Sequence, residues 1–162
     1  MILRSIKLQN FRKFKYSEID FPDGVIGIFG LNGVGKSTIF EALAWAFYGH
    51  VAARTSSDKI KREGAAPSDR CKVEVEFVFN ENNIRVTREM VGKSLSPSAS
   101  VVMNGKVVAN GAEATTRFIQ NLFGMDAKTF FTSIFAKQKE LNALSTMNPS
   151  ERKQLIVRML GI

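Results

Sequence analysis

Nine residues, Gly30-Leu31-Asn32-Gly33-Val34-Gly35-Lys36-Ser37-Thr38, constrain this chain more than any other stretch. They fit G-x-x-x-x-G-K-[ST] at every fixed position, a pattern that works only between a strand and a helix. Both neighbours read that way. Residues 25–29 form a short apolar run between two glycines and predict a buried strand, and residues 39–47 carry apolar side chains at helical spacing. Glycines without a Cβ let successive backbone N–H groups curl around phosphate oxygens. The helix N-terminus adds unpaired N–H groups and the positive end of its dipole. In that setting Lys36 supplies a cation for the β- and γ-phosphates, and the Ser37 hydroxyl is a hard oxygen ligand for Mg²⁺. The segment therefore predicts a nucleoside triphosphate site with Mg²⁺.

The rest of the composition narrows the setting. A chain of 162 residues, 44% of them hydrophobic, holds one core and is short for two. No apolar run approaches the length of a membrane span, and the N-terminus lacks a charged-then-apolar secretion pattern. Cys71 is the sole cysteine, which excludes an internal disulfide framework and fits a reducing compartment, with the thiol as apolar filler on a strand. The sole histidine, His50, has no partners for a zinc site and sits past Gly49, where a helix is expected to end. Lys and Arg outnumber Asp and Glu by 23 to 15, a formal charge of +8, which suits phosphate-rich partners.

Along the chain, residues 2–11 alternate as a half-buried strand with Ile2, Ile6 and Leu8 on one face, and residues 16–21 pair back with Ile19 and Phe21 inward. Pro22-Asp23-Gly24 is a turn. The helix after Lys36 is apolar nearly all round, which predicts a sandwiched position. Residues 49–69 read as a basic loop with at most one helical turn. Residues 70–79 and 84–91 make an antiparallel hairpin: Val73, Val75, Phe77 and Phe79 on one strand, Ile84, Val86 and Met90 on the other, face inward. Glu74 and Glu76 are expected opposite Arg85, Thr87 or Arg88. After a loop over residues 92–98, Asn104-Gly105 marks a tight hairpin between residues 101–103 and 106–108. Helical spacing then sets in with Ala114, Phe118, Leu122 and Phe123, closed by Gly124. Asp126 caps a second helix carrying Phe130, Phe131, Ile134 and Phe135, a group that reads as core. Asn148-Pro149-Ser150-Glu151 opens a third, amphipathic helix that is still running at residue 162 and suggests a longer protein.

Three features go beyond a phosphate loop: the first strand ends Asn10-Phe11-Arg12, Asn32 occupies the loop's second variable position, and Ser133-Ile134-Phe135-Ala136-Lys137-Gln138-Lys139-Glu140 follows a Phe-rich helix. Together they resemble the N-terminal half of the ATPase subunit of the DNA double-strand-break repair nuclease complex, the Rad-fifty/SbcC family, related to the structural-maintenance-of-chromosomes ATPases. The resemblance spans essentially the whole chain. It implies an α/β P-loop fold of ABC-ATPase type: a single N-terminal lobe over residues 1–162 with an antiparallel β-subdomain, residues 148–162 leading toward a coiled coil. It implies that Asn32, Gly33, Val34, Gly35, Lys36, Ser37 and Thr38 hold the phosphates, that Arg12 lies near them, and that Arg62, Glu63 and Gly64 approach the base and ribose. Gln138 falls at the Q-loop glutamine, which touches Mg²⁺ and senses the γ-phosphate, so Lys36 and Gln138 are the catalytic candidates. It also implies ATP as the triphosphate, an ATP-dependent homodimer, a C-terminal ATPase lobe, a partner repair nuclease, double-stranded DNA as ligand, no membrane, and an intracellular location, nucleoid or nuclear according to the cell type.

The chain departs from that family pattern at Lys139, where many relatives have Gly. No apolar strand ends in Asp-Glu, since Phe77-Val78-Phe79-Asn80-Glu81 carries Asn at the Mg²⁺-binding position and reads better as a hairpin end. No Ser-Gly-Gly signature is present either. Hydrolysis would then need the C-terminal half. The alternatives are a transporter nucleotide-binding domain, whose Q-loop lies closer to the phosphate loop, a small-molecule kinase or GTPase, which needs its own carboxylate, and a non-catalytic nucleotide-binding interaction module.

Overall fold

The computed structural model describes residues 1–52, 56–127, 129–130, 148–150 and 153. Six strands form one sheet: β1 (Ile2–Phe11), β2 (Phe14–Asp20), β3 (Cys71–Phe79), β4 (Asn82–Val91), β5 (Ser96–Met103) and β6 (Lys106–Asn110). Their spatial order is β2-β1-β3-β4-β5-β6, and every neighbouring pair is antiparallel. The helices are α1 (Lys36–Tyr48), followed by a 3₁₀ turn over Gly49–Val51, the short α2 (Ser57–Ile60) and α3 (Ala112–Phe123). Two compact units result, Met1–Ile119 and Gln120–Ile162.

Period-two alternation builds the first unit. On one face of the sheet Ile6, Leu8, Val73, Val75, Phe77, Ile84, Val86, Met90 and Val101 are buried, and α1 packs there through its second half. Trp45 meets Phe11 with ring centroids 5.6 Å apart, and Phe47 meets Phe77 edge-on at 5.3 Å. Each such buried side chain contributes about 1.5–3 kcal/mol. The other face is polar and tied by cross-strand pairs, among them Lys7–Glu18 at 2.8 Å and Arg85–Glu76 at 2.7 Å. The expected opposition of Glu76 to Arg85 and of Glu74 to Thr87 is present in the β3–β4 register. Arg88 is not on that face; it is buried, a correction whose consequence is taken up below.

Other expectations shift for identifiable reasons. A bulge between Leu3 and Ser5 breaks the parity of β1, so Leu3 rather than Ile2 lies opposite the inward Phe77, and Ile2 is half exposed. The Asn80-Glu81 turn, with both residues at positive φ, closes the β3–β4 hairpin, as Asn104-Gly105 closes β5–β6. β5 begins at Ser96, inside the expected loop. Only the second half of α1, Ala42 onward, is sandwiched, while Phe40 is 46% exposed. The buried side chains of α3 are Thr115 and Ile119, not the stripe through Ala114.

In the second unit, Gly124 (φ 66°) ends α3. The Asp126 carboxylate accepts the Thr129 N–H at 2.8 Å, the N-cap geometry the sequence predicts. Phe123 and Phe130 stack at 6.0 Å. Pro149, Ser150 and Lys153 are helical, in keeping with a helix start after Asn148. Phe131, Ile134, Phe135 and Gln138 lie outside the described residues.

Candidate functional site

The phosphate loop enters α1 through Gly35, the N-cap residue, at φ 114°; Gly33 is at φ 81°. These left-handed conformations favour glycine. A Cβ on Gly35 would lie 3.0 Å from the Phe14 ring, so close packing restricts that position as well. No side chain caps the N-terminus of α1 and its first turn holds no acidic residue. Its N–H groups and dipole therefore present a positive end that no carboxylate of that turn offsets. Lys36 folds back so that its ammonium donates to the carbonyls of Gly30 (2.5 Å) and Leu31 (2.8 Å), which holds the cation over the loop. Lys13 donates to the Gly33 carbonyl at 2.6 Å from the β1–β2 turn. Asn32, Gly33, Val34 and Ser37 are exposed, with Thr38 partly so, and the Thr38 N–H donates to the Gly35 carbonyl at 3.0 Å. An exposed hydroxyl at Ser37, one residue into α1, fits the hard-oxygen donor that Mg²⁺ takes alongside phosphate and water.

A second cluster adjoins the first. The end of β1 bridges to the segment after α2: the Arg12 N–H donates to the Ile60 carbonyl at 2.7 Å and the Arg62 N–H to the Asn10 carbonyl at 2.8 Å. Side chains reinforce the join. Arg62 Nε donates to Asn10 Oδ1 at 3.2 Å, Asn10 donates to the Arg70 carbonyl, and Arg12 Nη1 donates to the Lys59 carbonyl at 3.1 Å. Arg12 Nε also lies 3.2 Å from Glu41 Oε2 of α1, an ion pair whose angle falls short of a hydrogen bond. Around this join lies a cavity of about 890 Å³ lined by Arg12, Lys13, Lys59, Lys61, Arg62 and Lys93, with Glu63 the one acidic lining residue among the described residues. Among those residues six cations face one carboxylate, which makes the basin positive. Thus Arg12, Arg62 and Glu63 share one wall, contiguous with the phosphate loop through Lys13, while Gly64 (φ 79°) lies in the same segment without lining the cavity. Gln138, the other expected member, lies outside the described residues. Sequence reading missed the roles of Lys13 and Lys93. Lys13 adjoins Arg12 and could have been placed by the turn; nothing local marks Lys93.

One expectation fails here. Residues 25–29 form no strand and are not buried: Val25 and Phe29 are fully or nearly fully exposed, and Leu31 is 81% exposed. The run is apolar enough for a central strand, but no described strand lies beside it, and burial of a strand depends on its ladder partners.

An uncapped, glycine-built phosphate loop, a helix behind it and a flanking antiparallel sheet define the N-terminal lobe of a P-loop ATPase of α/β class. A family model described as an AAA domain matches residues 5–159, and the chain belongs to that family. It is 34% identical over 167 residues to the DNA double-strand break repair Rad50 ATPase of Thermoplasma volcanium, covering 100% of this chain and 18% of that protein. Its identity to the protein of the same name from Methanocaldococcus jannaschii is also 34%, over 100% of this chain and 16% of the relative. Among solved structures, the SMC head domain from Thermotoga maritima superposes with a TM-score of 0.52 at 30% identity, over 67% of this chain and 39% of that one. The chain thus spans under a fifth of the length of the Rad50 relatives it matches. Among the described residues no helix is long and apolar enough to cross a membrane.

Proposed function

We propose that this chain is the ATP-binding lobe of a DNA double-strand-break repair ATPase. The observation that carries the reading is the phosphate loop itself: an N-terminus of α1 with no side-chain cap, loop glycines at positive φ, and the Lys36 ammonium folded back onto the loop carbonyls. In this reading Asn32 through Thr38 cradle the phosphates, Lys36 neutralises the β- and γ-oxygens, and Arg12 with Arg62, Glu63 and Gly64 forms the base and ribose side. Ser37, and Gln138 from the downstream segment, would hold Mg²⁺, which when bound draws charge from the bridging and γ-phosphate oxygens. Lys36 would release its two loop carbonyls in exchange for phosphate, a replacement of neutral acceptors by charged ones.

Hydrolysis, on this account, needs a carboxylate and a γ-phosphate clamp from a C-terminal lobe. The exposed apolar run at residues 25–29 supports such a partner, because an open apolar segment beside a binding loop is a surface suited to being covered. ATP would then bring two heads together, and the closed homodimer would govern access of double-stranded DNA to a partner nuclease through the differing contacts of ATP and ADP. A titration of the chain with a fluorescent ATP analogue and Mg²⁺ tests the first step. Wild type saturates and Lys36→Ala loses at least about tenfold to a hundredfold in affinity, the scale of charge-assisted hydrogen bonds. Equal affinities would overturn the reading. In the assembled complex Gln138→Ala spares binding and lowers turnover.

A further inference from the structure

The end of α1 opposite the phosphate loop is held by an arginine that pairs with no carboxylate among the described residues. Arg88 on β4 is 4% exposed. Its Nε donates to the Ala46 carbonyl at 3.0 Å and its Nη2 to the Phe47 carbonyl at 3.3 Å, both in the last turn of α1. The same guanidinium reaches the first turn of α3, where Nη2 donates to Thr116 Oγ1 at 2.9 Å and Nη1 to the Ala112 carbonyl at 3.4 Å. The Thr116 hydroxyl in turn donates to that carbonyl at 3.0 Å, closing a small ring of bonds. The last turn of α1 contains no basic residue of its own, so Arg88 supplies the cation its negative end favours. Gly49, directly after α1, is at φ 64°, and a Cβ there would lie 2.8 Å from Arg88 Nη1. A side chain at Gly49 would crowd the guanidinium. Burial lowers the Arg88 pKa to about 10, which still leaves it charged at neutral pH.

A cation buried against four neutral oxygens is costly unless its geometry is fully used. Here it joins two helices that share no turn and no ion pair with it, one of them the phosphate-binding helix. We infer that Arg88 is a positioning residue that ties the far end of α1 to the first turn of α3, so that nucleotide held at Lys36 stiffens α3 through the guanidinium fork. The inference rests on the nucleotide reading of the phosphate loop. It requires α1 to move or stiffen as a unit, which a thirteen-residue helix with its second half buried can do.

Amide hydrogen exchange of the chain with and without Mg²⁺ and a slowly hydrolysed ATP analogue reads both ends at once. In wild type the nucleotide slows exchange in the phosphate loop and, at least about fivefold, in residues 112–119. Thr116→Val keeps the shape of the side chain and removes the 2.9 Å bond to α3, leaving only the longer one to the Ala112 carbonyl at 3.4 Å. It retains protection of the loop and loses most of the protection of α3. Arg88→Lys keeps the charge but, as a single point, cannot span both helices, and gives the same split. A merely stabilising role would lower protection in both variants equally with and without nucleotide. Loop protection with residues 112–119 unchanged in wild type, or full retention in Thr116→Val, overturns the relay alone. No protection at the loop overturns the nucleotide reading and the relay with it.

Discussion

Two stretches of the chain have nearly the same apolar character and opposite fates. On β3, Val73, Val75 and Phe77 sit at or below 1% exposure, each between hydrogen-bonded neighbours on β1 and β4. In residues 25–29, Val25 and Phe29 stand in solvent with no strand on either side among the described residues. Hydrophobicity selects what will be buried only where the backbone can also find partners, because an unpaired N–H or C=O taken from water costs as much as a side chain gains. The sheet pairs its own strands, whereas the entrance to the phosphate loop is left exposed among the described residues. The two regions meet at α1, whose first turns belong to the exposed side and whose last seven residues belong to the core.

The contrast breaks most sharply under truncation of one aromatic from each region. Trp45→Ala removes a ring 1% exposed and packed on Phe11, and is expected to cost about 3–5 kcal/mol in urea unfolding. Phe29→Ala, at 94% exposure, is expected to stay within about 0.5 kcal/mol. A Phe29 variant as damaging as the Trp45 one would show that residues 25–29 are packed in solution and that the contrast is false. A second probe uses the thiol on β3. Burial pushes Cys71 from 9.0 up to about 12, so at pH 8 its thiolate is depleted about a thousandfold relative to an ordinary cysteine. Modification by a thiol reagent is expected to follow unfolding of the sheet, at a rate that urea accelerates. Rapid labelling of the native chain would place β3 among the exposed elements.

How much of this was open to reading in the sequence follows the same division. Where pattern and pairing coincide, as in the alternation of β3 and β4, the Asn104-Gly105 turn, the Asp126 cap and the phosphate loop, residue order alone locates the element. It fails where a non-local partner decides. Residues 25–29 have the composition of a buried strand and lack the neighbour. Ile2 loses its inward place to a bulge that no local residue announces. Arg88 falls at an inward position of β4, between Val86 and Met90, and its charge argued for the outer face; the Ala46 and Phe47 carbonyls at the end of α1, with the Ala112 carbonyl and Thr116 hydroxyl of α3, explain its burial. The candidate site shows the same split. Lys36 and Ser37 follow from the motif, whereas Lys13 and Lys93 reach the basin through turns far apart in sequence.

The gentlest test lies on the outer face of the sheet, where partners are present but water is too. Glu18 of β2 accepts from Lys7 of β1 at 2.8 Å and from the Tyr16 hydroxyl at 2.9 Å. The Lys7 bond, then the Tyr16 bond, hold its carboxyl below the ordinary value, and the same contacts raise Lys7 and Tyr16. A carboxyl whose folded pKa is depressed adds stability above its unfolded value of 4.5 and loses it as the pH falls through the lower folded one. Glu18→Gln is therefore expected to lower the urea midpoint slightly at pH 7, to match wild type once the pH is below that window, and to differ less in high salt. A difference that persisted undiminished at acid pH and high salt would mean that Glu18 acts through packing, as the inner face does. The line between a core that organises itself and a surface that waits for a ligand would then have to be redrawn through β2.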